Sequence, residues 1–352
     1  MEGITPADEG AMLEARRRQA MLAKPPGSLG KLEDISVKLA GITGKVNNRI
    51  ERRAVMVFAA DNGVVAEGVA VTPQSVTLAQ CINMTMHKTG MSALAKFFGD
   101  EVFVFDVGIN AEFSHPGIIN KKVRLGTADL FREPAMTRDE AEKALLAGAS
   151  AVEEYALGFD AIGVGEMGIG NTTTSAAVTA SLTSSPAQAV TGRGSGLTDE
   201  AFLHKISIIE GALTRHKPDA NDPIDVISKV GGLDIAAMAG AYLACARHRI
   251  PAVVDGFISI AAALCAVRLS PAVRDYIFLS HASKESGYAV AARELDLDPC
   301  LALDMRLGEG SGCPIGFQIL RAACAAMNGM ATFEEAAIDD GYLAAIKGKN
   351  AF

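Results

Sequence analysis

Short runs of Val, Ile and Phe alternate along this chain with Ala-rich segments of helical length, and that alternation restricts the fold more than any other feature. It is the pattern of parallel βα units. Candidate strands are Ala54–Ala60, Val102–Val107, Ala161–Gly165, Ala252–Val254, Tyr276–Leu279 and Leu301–Met305. Between them Phe202, Ile206, Ile209 and Leu213 recur at the spacing of one helix face. Thr137 with Glu140 predicts a capping box opening a helix towards Leu157, and Thr332 with Glu335 predicts another near the C-terminus. Leu32, Ile35, Leu39 and Ile42 mark an amphipathic helix before the first strand. Both ends thus read as helical around a wound parallel sheet.

At 352 residues, with 49% apolar and 21% charged side chains, the chain can bury a large core and contains no block expected to stay disordered. A formal charge of −8 supplies no field for a nucleic-acid backbone or an anionic membrane, so neither is an expected partner, and any anion must be caught locally. Six cysteines lie far apart with no CxxC pair, which predicts reduced core thiols, no metal site and a cytoplasmic setting. No apolar stretch follows a basic start, so no signal peptide is expected. The best membrane candidate, Ile250–Val267, is interrupted by Asp255 and reads instead as a buried strand running into a helix.

Several strands stop at a polar or acidic residue beside glycine: Asp61, Asp106, Glu166, Asp255, Ser280 with His281, and Glu309. Ligands of open α/β sheets bind outside the carboxyl ends of the strands, so these residues are expected to rim one cleft, although each alone could be a cap or turn residue.

The segment FDAIGVGEMGIGNTTT (Phe159–Thr174) runs from a strand through glycines into a helix start, where free amides and the helix dipole favour an anion. Gly163, Gly165 and Gly168 fit GxGxxG, but no acid stands about twenty residues on to hold a ribose. Gly165 and Gly170 fit a P-loop, except that Asn171 replaces its lysine. A cradle for one phosphate remains, with Thr172 and Thr173 as added donors and Glu166 projecting nearby. Lys205, on the helix after TGRGSGL, would supply the charge that this loop lacks.

KPPGSLGKLE (Lys24–Glu33), AADNGVVAEGVAVTPQSVTLAQ (Ala59–Gln80), DVGI (Asp106–Ile109), GVGEMGIGNTTT (Gly163–Thr174), KVGGLDIAAMAGA (Lys229–Ala241), VVDGFISIAAAL (Val253–Leu264), SHAS (Ser280–Ser283) and LDMRLGEGSG (Leu303–Gly312) occur in this order. Together they make a chain that resembles nicotinate-nucleotide:dimethylbenzimidazole phosphoribosyltransferases from about Lys24 to Ile338. The resemblance implies an α/β fold with a Rossmann-like parallel sheet flanked by helices (51–330) and a smaller helical domain built from both ends (1–50 and 331–352), in a homodimer without metal or other cofactor. Its implied substrates are nicotinate mononucleotide and a benzimidazole-type base.

Carried onto this sequence, the resemblance makes Glu309 the catalytic acid and Glu166 a second acid of the site. It places the nucleotide phosphate against Gly168, Gly170, Asn171 and Thr172 with Lys205, and the base against Thr72 and Gln80. Asn62 departs from the histidine expected in many relatives, and Thr72 from the commoner serine. The implied chemistry needs no general acid, because the pyridine ring leaves neutral. The attacking benzimidazole must shed its N–H proton, and a carboxylate at Glu309 would take it. Gly308 and Gly310 are expected to leave room for the flat base beside that carboxylate. Glu166 would stabilise charge growing on the ribose or accept one of its hydroxyls. Met167, Met305, Leu307 and His281 are further candidates for the lining. The competing expectation is a weakly catalytic homologue that binds base or nucleotide for a partner subunit. Purine or phenolic bases also remain open.

Overall fold

The computed structural model describes residues 3–194, 196–341 and 343. Its strands are β1 (Arg53–Ala60), β2 (Glu101–Gly108), β3 (Ile118–Asn120), β4 (Ala161–Met167), β5 (Ala252–Val254) and β6 (Ile277–Leu279). They form one six-stranded sheet in the order β3-β2-β1-β4-β5-β6, and every adjacent pair is parallel. Strands β1 and β4 are buried along their whole length, as the near-continuous apolar run RAVMVFAA requires of a sheet covered on both faces. The strand order reverses between β1 and β4, so a crevice opens where their carboxyl ends diverge.

The helix Leu233–Arg247 shows why the chain is so rich in Ala and Gly. Every residue from Leu233 to Ala246 is buried, and a helix apolar on all sides can exist only inside a protein. It lies directly on the helix Arg138–Tyr155: a Cβ on Gly148 would sit 1.7 Å from Ala237 O, and one on Gly240 1.8 Å from Leu145 O. Backbones this close leave no space for larger side chains.

Thr137 caps Arg138–Tyr155 with the reciprocal Glu140 bond expected of it. The amphipathic stretches read around Leu39 and Ile206 are the helices Lys31–Thr43 and Asp199–His216. Ile250–Val267 holds β5 and most of the helix Phe257–Leu269. Among the described residues no helix is long and apolar enough to cross a membrane. All six cysteines are unpaired, and only Cys300 is not fully buried.

Three expectations need correction. Leu301–Met305 is not a strand: it makes one isolated bridge to His281, and Asp304 turns to φ +55°, which ends any ladder. The sixth strand is instead β3, only three residues long after Pro116. Thr332 and Glu335 do exchange hydrogen bonds (2.7 and 3.1 Å), but they close a turn and not a helix, because Ala337 adopts φ +54°. Residues 342 and 344–352 of the expected C-terminal helical segment lie outside the described residues. The two chain ends nonetheless meet. Ala11, Ala15, Val37, Ala40 and Met327 form a small apolar cluster apart from the main core, and Leu22 bridges Thr332.

Candidate active site

Over the β1/β4 crevice lies a cleft of about 820 Å³, within the range of small-molecule sites. Glu166, Glu309, Gly168, Gly170, Asn171, Thr172, Lys205, Thr72 and Gln80 all line it, although they come from segments far apart in the chain. Met167, Leu307 and His281 also line it, whereas Met305 does not.

Of the strand-end acids, Asp61, Asp106 and Asp255 do not rim this cleft, which corrects the expectation drawn from their positions. Each instead anchors loop backbone. Asp61 accepts Thr77 Oγ1 (2.6 Å) and the Asn110 amide (2.9 Å). Asp106 accepts the amides of Gly108 (3.1 Å) and Ile109 (2.9 Å) and pairs with Lys122 (3.2 Å). Asp255 accepts the amides of Gly310 (2.9 Å) and Gly312 (2.7 Å), and burial pushes its carboxyl up to about 7.

Those bonds shape the segment that carries Glu309. Gly308, Glu309 and Gly310 stand at φ +82°, +63° and +84°, three consecutive left-handed residues. For a glutamate that conformation costs roughly 1–3 kcal/mol and persists only when the surroundings impose it. They do so here through Asp255 on one side and through Glu166, whose Oε1 accepts the Glu309 amide at 3.2 Å. The flanking glycines therefore serve the turn itself, not room for a ring: a Cβ on Gly308 would lie 2.6 Å from Glu166 Oε1, and one on Gly310 2.8 Å from Val55. The Glu309 side chain is buried, with Oε1 accepting Gln80 Nε2 at 3.0 Å. Its Oε2 is buried without a partner among the described residues.

Across the cleft, Gly170 at φ +95° opens the helix Asn171–Thr183. A Cβ on Gly168 would lie 2.1 Å from Ala60 O, so the loop can pass over β1 only as glycine. Ile169 N donates to Thr77 Oγ1 and Asn171 N to Gly168 O, both at 3.2 Å. The amides of Gly168, Gly170 and Thr172 donate to no group among the described residues, which leaves them for an anion. Lys205 is fully buried. Its ammonium donates to Thr172 Oγ1 (2.8 Å) and Gly192 O (3.3 Å), and burial lowers it to about 8 although Glu285 pulls it back.

Asn171 lines the cleft, but its side-chain nitrogen is committed to protein. Its Nδ2 donates to Glu166 Oε2 (2.5 Å) and to Asp234 Oδ2 (3.1 Å), so one amide bridges two buried acids. Burial, reinforced by Asp234, pushes Glu166 up to about 8, and burial pushes Asp234 up to about 7. Asp234 lies within KVGGLDIAAMAGA, but nothing in that motif assigns it a role; its local signal is a lone acid between GGL and an Ala-rich helix. Arg193, within TGRGSGL, and Arg306, within LDMRLGEGSG, also line the cleft, as does Glu285, which no quoted motif contains. Asn62 is fully buried behind Gly170, and neither side-chain polar atom has a partner among the described residues. His281 Nδ1 lies 3.0 Å from Ser280 Oγ, and burial lowers its basicity. No group of three or more His, Cys, Asp or Glu among the described residues could hold a metal ion.

A phosphoribosyltransferase family model matches residues 4–338. A nicotinate-nucleotide–dimethylbenzimidazole phosphoribosyltransferase of Clostridium perfringens is 50% identical over 100% of this chain and 98% of its own length. The namesake enzyme of Chloroflexus aggregans is 45% identical over 96% of each chain. A solved structure of the Thermus thermophilus enzyme of that name superposes with a TM-score of 0.90 at 42% identity, covering 95% of this chain and 100% of its own.

Proposed function

The chain belongs to the nicotinate-nucleotide–dimethylbenzimidazole phosphoribosyltransferase family, and from that premise we propose how its cleft divides the reaction between its two ends. It is a transferase that moves the 5-phosphoribosyl group of nicotinate mononucleotide to 5,6-dimethylbenzimidazole or a related base. The products are nicotinate and α-ribazole 5′-phosphate, the lower nucleotide of cobamides.

The nucleotide phosphate binds the free amides of Gly168, Gly170 and Thr172, with the Thr172 hydroxyl and the Lys205 ammonium completing the cradle. The base lies by Thr72, Gln80 and Glu309, against aliphatic neighbours such as Val76 and Leu307. One nitrogen of the base attacks the anomeric carbon as the pyridinium bond breaks on the opposite face, and Glu309 takes the proton from the other nitrogen. The free, buried Oε2 of Glu309 carries this assignment: Gln80 fixes one oxygen and leaves the second lone pair to accept. Glu166 has both oxygens on protein donors, Asn171 and the Glu309 amide, so it acts as a positioning residue that ties the phosphate loop to the base loop. Asn171 belongs to the same tie and contributes its place in the loop, not its side chain, to the phosphate.

We propose on family resemblance that the enzyme is a cytoplasmic homodimer, with a small domain made from segments 1–50 and 331–352. Chromatography of enzyme incubated with nicotinate mononucleotide and 5,6-dimethylbenzimidazole should show nicotinate released in step with an α-configured nucleotide. Binding of both substrates without nicotinate release would leave only the role of a binding homologue.

A further inference from the structure

The phosphate cradle rests on acids. A Cβ on Gly168 would lie 3.1 Å from Asp234 Oδ2, so that carboxyl stands directly beneath the loop, and Glu166 shares with it the one side-chain amide of Asn171. Asp234 is fully buried, and its hydrogen bonds come from neutral groups, the Ile235 amide (3.0 Å) and Asn171 Nδ2 (3.1 Å). The titratable groups that face it are Glu166 from β4 and Asp61 from the end of β1, both acids. The nearest cation along the chain, Lys229, pairs with Asp225 at 2.8 Å. A phosphate monoester near neutral pH carries close to two negative charges, and ionised carboxyls under its cradle would repel it.

Asn62 shows how the repulsion is avoided. Its side chain is fully buried, and neither polar atom has a partner among the described residues. Its Oδ1 and Asp234 Oδ1 converge on one point, 2.7 and 2.3 Å from where a Cβ on Gly232 would stand. Two bare acceptors aimed at one place away from water are costly. One hydrogen between them turns the same geometry into a hydrogen bond, and a protonated carboxyl can supply it. Burial already pushes the Asp234 carboxyl up to about 7, although its place in the first turn of Leu233–Arg247 favours a charge. The backbone N–H of Asn62 donates to Ile169 O at 3.3 Å, so the same residue holds the cradle from below.

We propose that Asp234 is kept as a neutral carboxylic acid, its proton given to Asn62 Oδ1, so that the floor of the phosphate cradle carries no charge there when the nucleotide binds. Neither residue lines the cleft, so both are positioning residues that act through the loop 168–171. This assignment rests on the phosphate reading of that loop and adds what keeps it open to an anion. Ionising Asp234 then weakens phosphate binding and leaves the proton transfer at Glu309 alone.

Calorimetric titration with ribose 5-phosphate between about pH 6 and 9 compares wild type with Asp234→Asn. The new amide copies the protonated acid, donating to Asn62 Oδ1 and accepting from Asn171. The two proteins should bind alike at the acid end, and at the alkaline end the variant should bind about 10-fold more tightly. Titration of Lys205, Glu166 and the phosphate itself is common to both and drops out of that ratio. KM for nicotinate mononucleotide should follow the same course with kcat little changed.

Asn62→Leu gives a second measurement that does not depend on the folding of Asp234→Asn. Removing an acceptor that favours the acid form should move one carboxyl resonance of carbon-13-labelled aspartate from about 7 to lower pH. Affinities of wild type and Asp234→Asn that decline in parallel would overturn the assignment. So would aspartate resonances unmoved by Asn62→Leu, or one moved to higher pH, which would mean that Asn62 donates to an ionised Asp234. Failure of wild type to bind ribose 5-phosphate at any pH would instead sink the phosphate reading itself.

Discussion

The two ends of the cleft are built on opposite terms. At the phosphate end the side chains are spent on one another: Asn171 on Glu166 and Asp234, Lys205 on Thr172 and Gly192. Backbone amides at a helix start remain for the ligand, with the Thr172 hydroxyl and the Lys205 ammonium beside them. At the base end the backbone is spent, bound by Asp255 and Glu166 into a left-handed turn, and a side-chain oxygen of Glu309 remains. Binding a group that does not change calls for fixed dipoles. Accepting a proton calls for a free lone pair on a group held still.

The sharpest way to break that contrast is Glu309→Gln. Loss of the proton acceptor should lower kcat by about 10²- to 10⁴-fold while both substrates still bind by titration. Near-normal kcat would remove Glu309 as the base. Lys205→Met should act at the other end and raise KM for nicotinate mononucleotide by roughly 10- to 100-fold, with a smaller change in kcat. A fall confined to kcat would contradict the division. Asp255→Asn should release the 308–312 turn, lowering unfolding free energy by about 1–3 kcal/mol in denaturant titrations, because one of two buried amides loses its acceptor.

The buried acids give a pH signature. Folding raises Glu166 from 4.5 to about 8, and Asp234 and Asp255 from 3.8 to about 7. Over that interval the native chain holds protons that the unfolded chain has released, so stability is fullest below pH 4 to 5 for these groups and declines as pH climbs towards 8. Thermal unfolding of the substrate-free protein should show Tm falling across this window, and Glu166→Gln should flatten the slope. A Tm that rises with pH to 8 would refute the ordering. Smallest of all, Gln80→Ala should reduce kcat only several-fold, since it frees Oε1 without removing the base.

Strands β1, β2, β4, β5 and β6 were legible because a buried parallel strand must be apolar nearly throughout, and Thr137 because a reciprocal cap leaves a fixed spacing. Short β3 carried too few residues to show a period, and Leu301–Met305 had the right composition but a left-handed Asp304 that composition does not reveal. The cleft residues were legible as motifs. What they do to one another was not: that Asn171 would face two acids and leave the phosphate to the backbone depends on Asp234, far along the chain.

The strained turn at Glu309 has a consequence for how such a chain can drift. Asn and Gly tolerate a positive φ far better than glutamate does. Replacing the proton acceptor by either therefore relaxes the backbone at the moment it silences the chemistry, and Glu309→Gly should melt no lower than wild type. Decay to a stable, inactive descendant is thus downhill at this one position, and only the need for product holds the glutamate in place.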